Sequence, residues 1–368
     1  MTTQTLSEFA SRATFPPADP DHLKLAESLI REHRALDLRL QSVADSGLPL
    51  AVWLEALLRY SRAAHFVKYD PWDASIVVKS FPPSPLVALY NPFRDPANRH
   101  AEGQRPAPAA GAKPDFLAWE SFPENEHYLV WTAASGRHYG VLVQPAPIVP
   151  DHFIIASLDA DPDTRQHYPQ VATASHLADT QELCGSLFPL EYAVGYNDRG
   201  AGASVDHFHT QAVPKRFLPL VRLEAAGGLA AADAWTDGHG VRLEVLDAVY
   251  PWPGILLRAT SLSALLRQQQ VVLHSCRMSG LIYNSLAWRN SAGEWVEAVF
   301  PRGNEAIINN KVKAGYVETS GMLVIPDRGL FETLQNAEIM AESLKGAGLD
   351  PQRMHEWLEM LKRWFLKV

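Results

Sequence analysis

The chain has 368 residues, 47% hydrophobic and 20% charged, with a net charge of -8. That length suits one large domain or two ordinary ones with a sizeable core, and the negative balance argues against nucleic acid as a partner. No stretch approaches the roughly 18 consecutive apolar residues of a membrane span, and the start MTTQTLSEFASRATFPPADP lacks both a basic head and an apolar run, so neither a membrane nor a secretory signal is expected and the expected compartment is cytoplasmic. Cys184 and Cys276 belong to no CxxC pair. They read as buried thiols rather than zinc ligands or a disulfide.

In chain order, residues 1–70 read as a helical segment. Leu23, Leu25, Leu29, Ile30, Leu36, Leu38 and Leu40 suggest a helix from Asp21 to about Ser46, and a second runs from about Pro49 to Ala64. From Ala74 the pattern changes to short β-type runs, SIVVKSF and LVALY. RPAPAAGAKPD (105–115) is rich in Pro, Ala and Gly and reads as a mobile loop. Strands follow at HYLVWTA (127–133), YGVLVQP (139–145) and HFIIASL (152–158), then a helix over 169–188. EYAVGYN (191–197) and HFHTQAVP (207–214) read as strands on either side of a small-residue loop.

The pattern then partly repeats. VRLEVLDAVY (241–250) and PGILLRAT (253–260) read as strands, 263–280 as a helix ending at Gly280, and LIYNSLAWR (281–289) and WVEAVFPR (295–302) as strands. Two helical patterns around Gly346–Pro351 close the chain. The expected fold is α+β: two similar halves, 71–220 and 221–330, with antiparallel sheets flanked by helices and facing each other, followed by C-terminal helices over 331–368. The exposed edges of such a sheet allow a homodimer.

The chemistry concentrates at NDRGAGASVDHFHTQ (197–211). Strand side chains alternate, so His207, His209 and Gln211 share one face. Gly200-Ala201-Gly202-Ala203-Ser204 has little side-chain bulk, and such a loop lets backbone N–H groups approach an anion. A phosphate held there sits beside a row that offers a nucleophilic imidazole, a group to hold its tautomer and an amide for a phosphoryl oxygen. The competing reading is a metal site: two His at i, i+2 also suit zinc or a metal-dependent oxygenase. His152, His167 and Asp206 are then the candidate further ligands, at spacings that fit no recognised pattern. The phosphate reading is preferred, with no metal and no cofactor. Asp206 raises its own question, whether it pairs with Arg199 or Lys215 or raises the basicity of a neighbouring imidazole.

Tyr196-Asn197, the small-residue loop and His-x-His-x-Gln resemble the histidine-triad (HIT) superfamily in its galactose-1-phosphate uridylyltransferase branch, and GYNDRGAGASVDHFHTQA looks closest to the GDP-hexose and diadenosine tetraphosphate phosphorylases. VLVQPAPIVPDHFIIASL, RQHYPQ, LIYNSLAWR, WVEAVFPR and YVETSGMLVI extend the likeness over about residues 74 to 330. The resemblance implies a HIT-like fold and a nucleotidyltransferase of phosphorylase type. Its substrate would be a nucleotide sugar or a dinucleoside polyphosphate, and its acceptor phosphate or a sugar phosphate. His209 would be the nucleophile, His207 its positioner and Gln211 the donor to a phosphoryl oxygen. Asn197, Gly202 and Ser204 would line the phosphate pocket, with Asn284, Arg302 and Lys311 contributing from the second half. The cysteine pair that binds zinc in some uridylyltransferases is absent. A hydrolase with the same intermediate and a catalytically silent nucleotide-binding module are the alternative functions.

Overall fold

The structure is a computed structural model, described here for residues 1–10, 15, 17–95, 115–161, 166–246, 250–303, 306–307, 312–345 and 348–367. Of the expected loop at 105–115 only Asp115 falls among the described residues, and Lys311 lies outside them.

The chain opens with strand β1 (Thr2–Thr5) and helix α1 (Pro20–Glu32). Asp19 caps α1 by accepting from the backbone N–H groups of Asp21 and His22, and Pro20 supplies a preset φ in the first turn. Leu23, Ala26 and Ile30 bury its inner face. The helix stops at Glu32, not near Ser46, and Ala35–Asp37 forms strand β2. Leu36, Leu38 and Leu40 are spaced by two, the period of a strand, and Leu36 is buried while Leu40 is exposed at the start of the next turn. Helix α2 (Leu50–Ala63) follows, then strands β3 (Val77–Ser80), β4 (Val87–Tyr90), β5 (Tyr128–Thr132), β6 (His138–Val143) and β7 (Phe153–Ser157). Helix α3 (Ala174–Leu187) leads to β8 (Tyr192–Asn197) and β9 (His209–Pro214). The second set is β10 (Ala231–Thr236), β11 (Arg242–Leu246), β12 (Ile255–Ala259), helix α4 (Leu262–Met278), β13 (Ile282–Arg289) and β14 (Trp295–Arg302). Strand β15 (Met322–Ile325) and helix α5 (Pro351–Phe365) complete the elements used below.

Eleven strands form one sheet in the order β10-β11-β12-β14-β13-β8-β9-β7-β6-β5-β2. Outward from the centre, one half runs β8-β9-β7-β6-β5 and the other β13-β14-β12-β11-β10. In both, three strands, a helix and two strands follow one another in the chain. The halves do not face each other as expected. They join edge to edge, because β8 and β13 pair antiparallel from Asn197↔Asn284 to Val194↔Ala287. Each strand would otherwise leave its N–H and C=O groups unpaired in the middle of the molecule. The N-terminal 70 residues are not helical alone: β2 extends the large sheet beside β5, and β1 pairs with β3.

Strand alternation divides the core. Val194, Tyr196 and Tyr283 face the layer of helices α1 to α5 with Leu177, Leu273 and Trp357. Ala193, Val213, Leu286, Trp288 and Ala298 face a second, four-stranded sheet, β1-β3-β4-β15, with Val78, Leu89, Leu323 and Ile325. Cys184 and Cys276 are both free and buried on the helix side, and burial pushes each thiol up to about 12. Among the described residues no helix is long and apolar enough to cross a membrane.

Candidate active site

The strand carrying the histidine motif starts at His209, two residues later than expected. Phe208 breaks the ladder: its N–H donates to Tyr168 O, while its carbonyl still accepts from Ser157 N–H. From His209 onward the register is regular, with His209 opposite Ala156 and Gln211 opposite both Ile154 and Gly195. His209 and Gln211 therefore project on the same face, the one that carries the smaller sheet.

His209 is 5% exposed. Its Nδ1 donates to the carbonyl of His207 at 2.8 Å, and its Nε2 has no partner among the described residues. Burial pushes the imidazole down to about 4, with the backbone bond from His207 and the nearby Asp115 carboxylate opposing the shift. The ring is thus neutral at pH 7 with its proton on Nδ1 and its lone pair on Nε2. His207 is fully enclosed: Nε2 donates to the carbonyl of Ser157 at 2.6 Å, and Nδ1 lies 2.9 Å from the Asp115 carboxylate. Burial raises the Asp115 carboxyl, but the His207 hydrogen bond and charge, the Leu117 N–H and His167 together outweigh it and hold the group below its usual range.

Gln170, buried beneath the loop, spans the gap that opens between β8 and β9. Its amide nitrogen donates to Asn197 O at 2.7 Å and His209 O at 3.0 Å, and its oxygen accepts from His209 N–H at 2.8 Å. Asp206 accepts from Gln170 N–H and pairs with Arg199 at 2.7 Å, whereas Lys215 pairs with Glu191. That resolves the open choice for Asp206 in favour of Arg199.

The loop from Asp198 turns with Gly200 at φ +82° and Gly202 at φ +94°. Gly202 is also required by contact: a Cβ there would lie 2.4 Å from the carbonyl of Ala314. Ser204 is exposed. Asn197, Asn284 and Arg302 come together behind the loop. Asn197 Oδ1 accepts from Asn284 Nδ2 at 2.8 Å and from Tyr316 N–H at 2.6 Å. Asn284 Nδ2 also reaches Ala201 O at 2.6 Å, and Arg302 donates to Asn284 Oδ1 and Ala314 O. The trio ties β8, β13, β14 and the 314–316 segment to the loop and so fixes its shape.

Among the described residues, one group of side chains could hold a cation. Asp115, His167 and His207 present ligand atoms within 4.8 Å of one another, and Glu120 lies 3.6 Å from His167 Nε2. The residues fit a divalent metal only if Nδ1 of His207 exchanges its hydrogen bond for the metal, since Nε2 is committed to Ser157 O. Of the three ligands suggested from sequence, His167 joins His207. Asp206 is occupied by Arg199, and His152 sits instead beside Gln211, 2.8 Å from its amide oxygen.

Over 80% of its length the chain superposes on yeast Ap4A phosphorylase Apa2 in complex with AMP, with a TM-score of 0.57, 18% identity and 94% of that chain covered. The complex of Apa2 with Ap4A gives the same TM-score and identity over 96% of that chain. The chain shares the fold of Apa2, a HIT-like, galactose-1-phosphate uridylyltransferase-like fold. The family described as "Domain of unknown function (DUF4922)" matches residues 87–214, the half of this HIT-like sheet that carries the histidine motif. No curated protein matches the sequence.

Asp115, Gln170 and Tyr316 escaped the sequence reading. Asp115 closes a Pro/Ala-rich run and Tyr316 follows a glycine, neither of which marks a site. All three lie in segments already singled out, RPAPAAGAKPD, RQHYPQ and YVETSGMLVI, but only Gln170, a polar residue beside Pro169, carried a local signal of its own.

Proposed function

We propose that the chain is a nucleotidyltransferase that cleaves a nucleotide sugar or a dinucleoside polyphosphate at the α-phosphate through a covalent nucleotidyl-histidine on His209. The acceptor is phosphate or a sugar phosphate. The observation that carries this reading is the state of His209: a buried, neutral imidazole with Nδ1 tied to the His207 carbonyl and Nε2 free of partners among the described residues. The fold it shares with Apa2, whose structures hold AMP and Ap4A, supports a nucleotide as the ligand.

In the first step the Nε2 lone pair attacks the α-phosphorus in line. The P–O bond to the leaving group breaks, and a sugar phosphate or nucleotide departs with the electron pair. Both are weak bases, so no strong general acid is needed. As the ring gains positive charge, its Nδ1–H···O=C bond to His207 strengthens. In the second step an acceptor oxygen attacks from the opposite side, the P–N bond breaks and neutral His209 is regenerated. The N–H groups of Asp198, Arg199 and Ala201 are already bonded within the fold, which leaves the backbone N–H groups of residues 202–204 and the Gln211 amide as the donors for the equatorial oxygens.

The test is intact mass after rapid quench at mildly alkaline pH, with UDP-, GDP- and ADP-sugars and diadenosine tetraphosphate as donors and no phosphate. The expected result is a gain of one nucleoside monophosphate that is missing in His209→Ala. Turnover of a donor at an undiminished rate by His209→Ala would overturn the covalent route.

A further inference from the structure

Gln211 has an amide whose two ends are told apart by a neighbour. The backbone N–H of Ile148 points at Nδ1 of His152 at 3.4 Å. A backbone amide can only donate, so Nδ1 is the acceptor, and a neutral imidazole then carries its proton on Nε2. That Nε2 lies 2.8 Å from Oε1 of Gln211. An N–H aimed at a carboxamide selects its oxygen, so the amide nitrogen of Gln211 is turned away from His152. Among the described residues nothing partners that nitrogen.

The surroundings hold the ring in this state. His152 is 1% exposed. Burial, with the Arg94 guanidinium adding to it, pushes the imidazole down to about 3, so the single-proton form persists through neutral pH. The hydroxyl of Tyr316 stands 3.5 Å from the same Nε2. The Tyr316 ring occupies the place a side chain would take at residue 195: a Cβ on Gly195 would lie 2.1 Å from it. Gly195 is the ladder partner of Gln211, and cross-strand partners share a face. Tyr316 therefore walls the Gln211 amide on one side while His152 grips its oxygen. The Tyr316 backbone is itself pinned by Asn197.

We propose that His152 is a positioning residue that locks Gln211 with its NH2 group turned away from His152, on the strand face that Gln211 shares with His209, so that Gln211 can act only as a donor to a non-bridging oxygen of the bound α-phosphoryl group. The inference rests on the proposed function. It makes recognition directional. An unheld glutamine must give up its freedom to flip before its nitrogen can donate to the phosphate, whereas a held one is already oriented as a donor. It also distinguishes His152 from a histidine that merely fills the core, because a filler need not fix the orientation of the amide two residues along the strand from the nucleophile.

Two measurements test it. In protein labelled with 15N-histidine, His152, assigned by loss of its signals in His152→Phe, is expected to be protonated on Nε2 at pH 7, with that resonance moving in Gln211→Leu. An Nδ1-protonated ring, or no response to Gln211→Leu, overturns the proposal. In the quench assay His152→Phe is expected to slow adduct formation by about 10- to 100-fold. His152→Gln, which restores an N–H donor, should recover part of the rate. The double variant His152→Phe/Gln211→Leu should be no slower than Gln211→Leu alone. Losses that multiply instead, as for two independent structural defects, overturn the proposal while leaving the proposed function standing. A wild-type protein that forms no adduct with any donor, yet shows the Nε2-protonated His152, removes the proposed function and the phosphoryl role of Gln211 with it.

Discussion

His209 donates its Nδ1 proton to the backbone carbonyl of His207 across 2.8 Å, and His207 is itself held between the Asp115 carboxylate and the Ser157 carbonyl. One histidine thus acts through its backbone to set the tautomer of the next. His207 needs no reach into the pocket; it needs only to be immobile, and its two side-chain contacts make it so.

Asp115→Asn isolates that hold. The Oδ1 atom of Asp115 accepts from Leu117 and Ala118 N–H and can go on doing so as an amide, whereas the charge facing His207 is lost. The expected result is a rate of adduct formation lowered by about 10-fold, because the carboxylate no longer offsets the positive charge that develops on His209. The thermal midpoint should change little. Quench kinetics and a melting curve on the same sample check both.

Acid should weaken the fold before it blocks the nucleophile. Burial pushes His152 down to about 3 and His176 and His209 to about 4, from an ordinary 6.5. Between pH 6.5 and about 4 the unfolded chain binds protons at these positions and the folded chain does not. Stability therefore rises with pH across that window, and a few kcal/mol are lost as pH falls through it. Urea midpoints measured from about pH 8 down to about pH 4.5 should be flat above neutrality and fall below it. His176 stacks on Phe208 at 4.0 Å, so His176→Phe should shallow the fall without touching the pocket.

Glu297 carries the opposite dependence. It is buried under α3 and α4 beside Gln181, Gln269 and Ser285, and burial raises its carboxyl to about 7 against these hydrogen bonds. A raised acid destabilises the fold as pH climbs from the unfolded value toward 7, where the buried group must ionise. Glu297→Gln is expected to stabilise the protein at about pH 8 by roughly 1–3 kcal/mol and to change little at about pH 5. Equal effects at both pH values would contradict the assignment.

Gly202→Ala should be costly at a position that looks like an ordinary loop. The added Cβ meets Ala314 O at 2.4 Å in a backbone of φ +94°, and the carbonyl cannot retreat because Arg302 also holds it. The expectation is a loss of roughly 2–4 kcal/mol in urea unfolding and a weaker nucleotide affinity. Gly136→Ala, at φ +86° with open space around it, serves as the comparison and should cost less.

Much of the local architecture was written in the residues. The strands of both halves except β10 (Ala231–Thr236), the two long helices that precede β8 and β13, and the loop before His209 follow from periodicity and from glycine spacing, because side-chain alternation and turn chemistry are local properties. The HIT-like fold was legible only through the family resemblance that His-x-His-x-Gln and its preceding loop carry; the residues by themselves gave an α+β chain with two similar halves. The Leu36-x-Leu38-x-Leu40 run carried its period of two in plain view, and Leu36 lies in strand β2 (Ala35–Asp37). What the chain alone could not tell is which residues meet. The joining of β8 to β13, the partner of Asp206, the Asp115 carboxylate 92 positions before His207, and Tyr316 packed over Gly195 all depend on contacts between distant segments. Such contacts are set by how two sheets and a helical layer close around a core, and no local pattern encodes them.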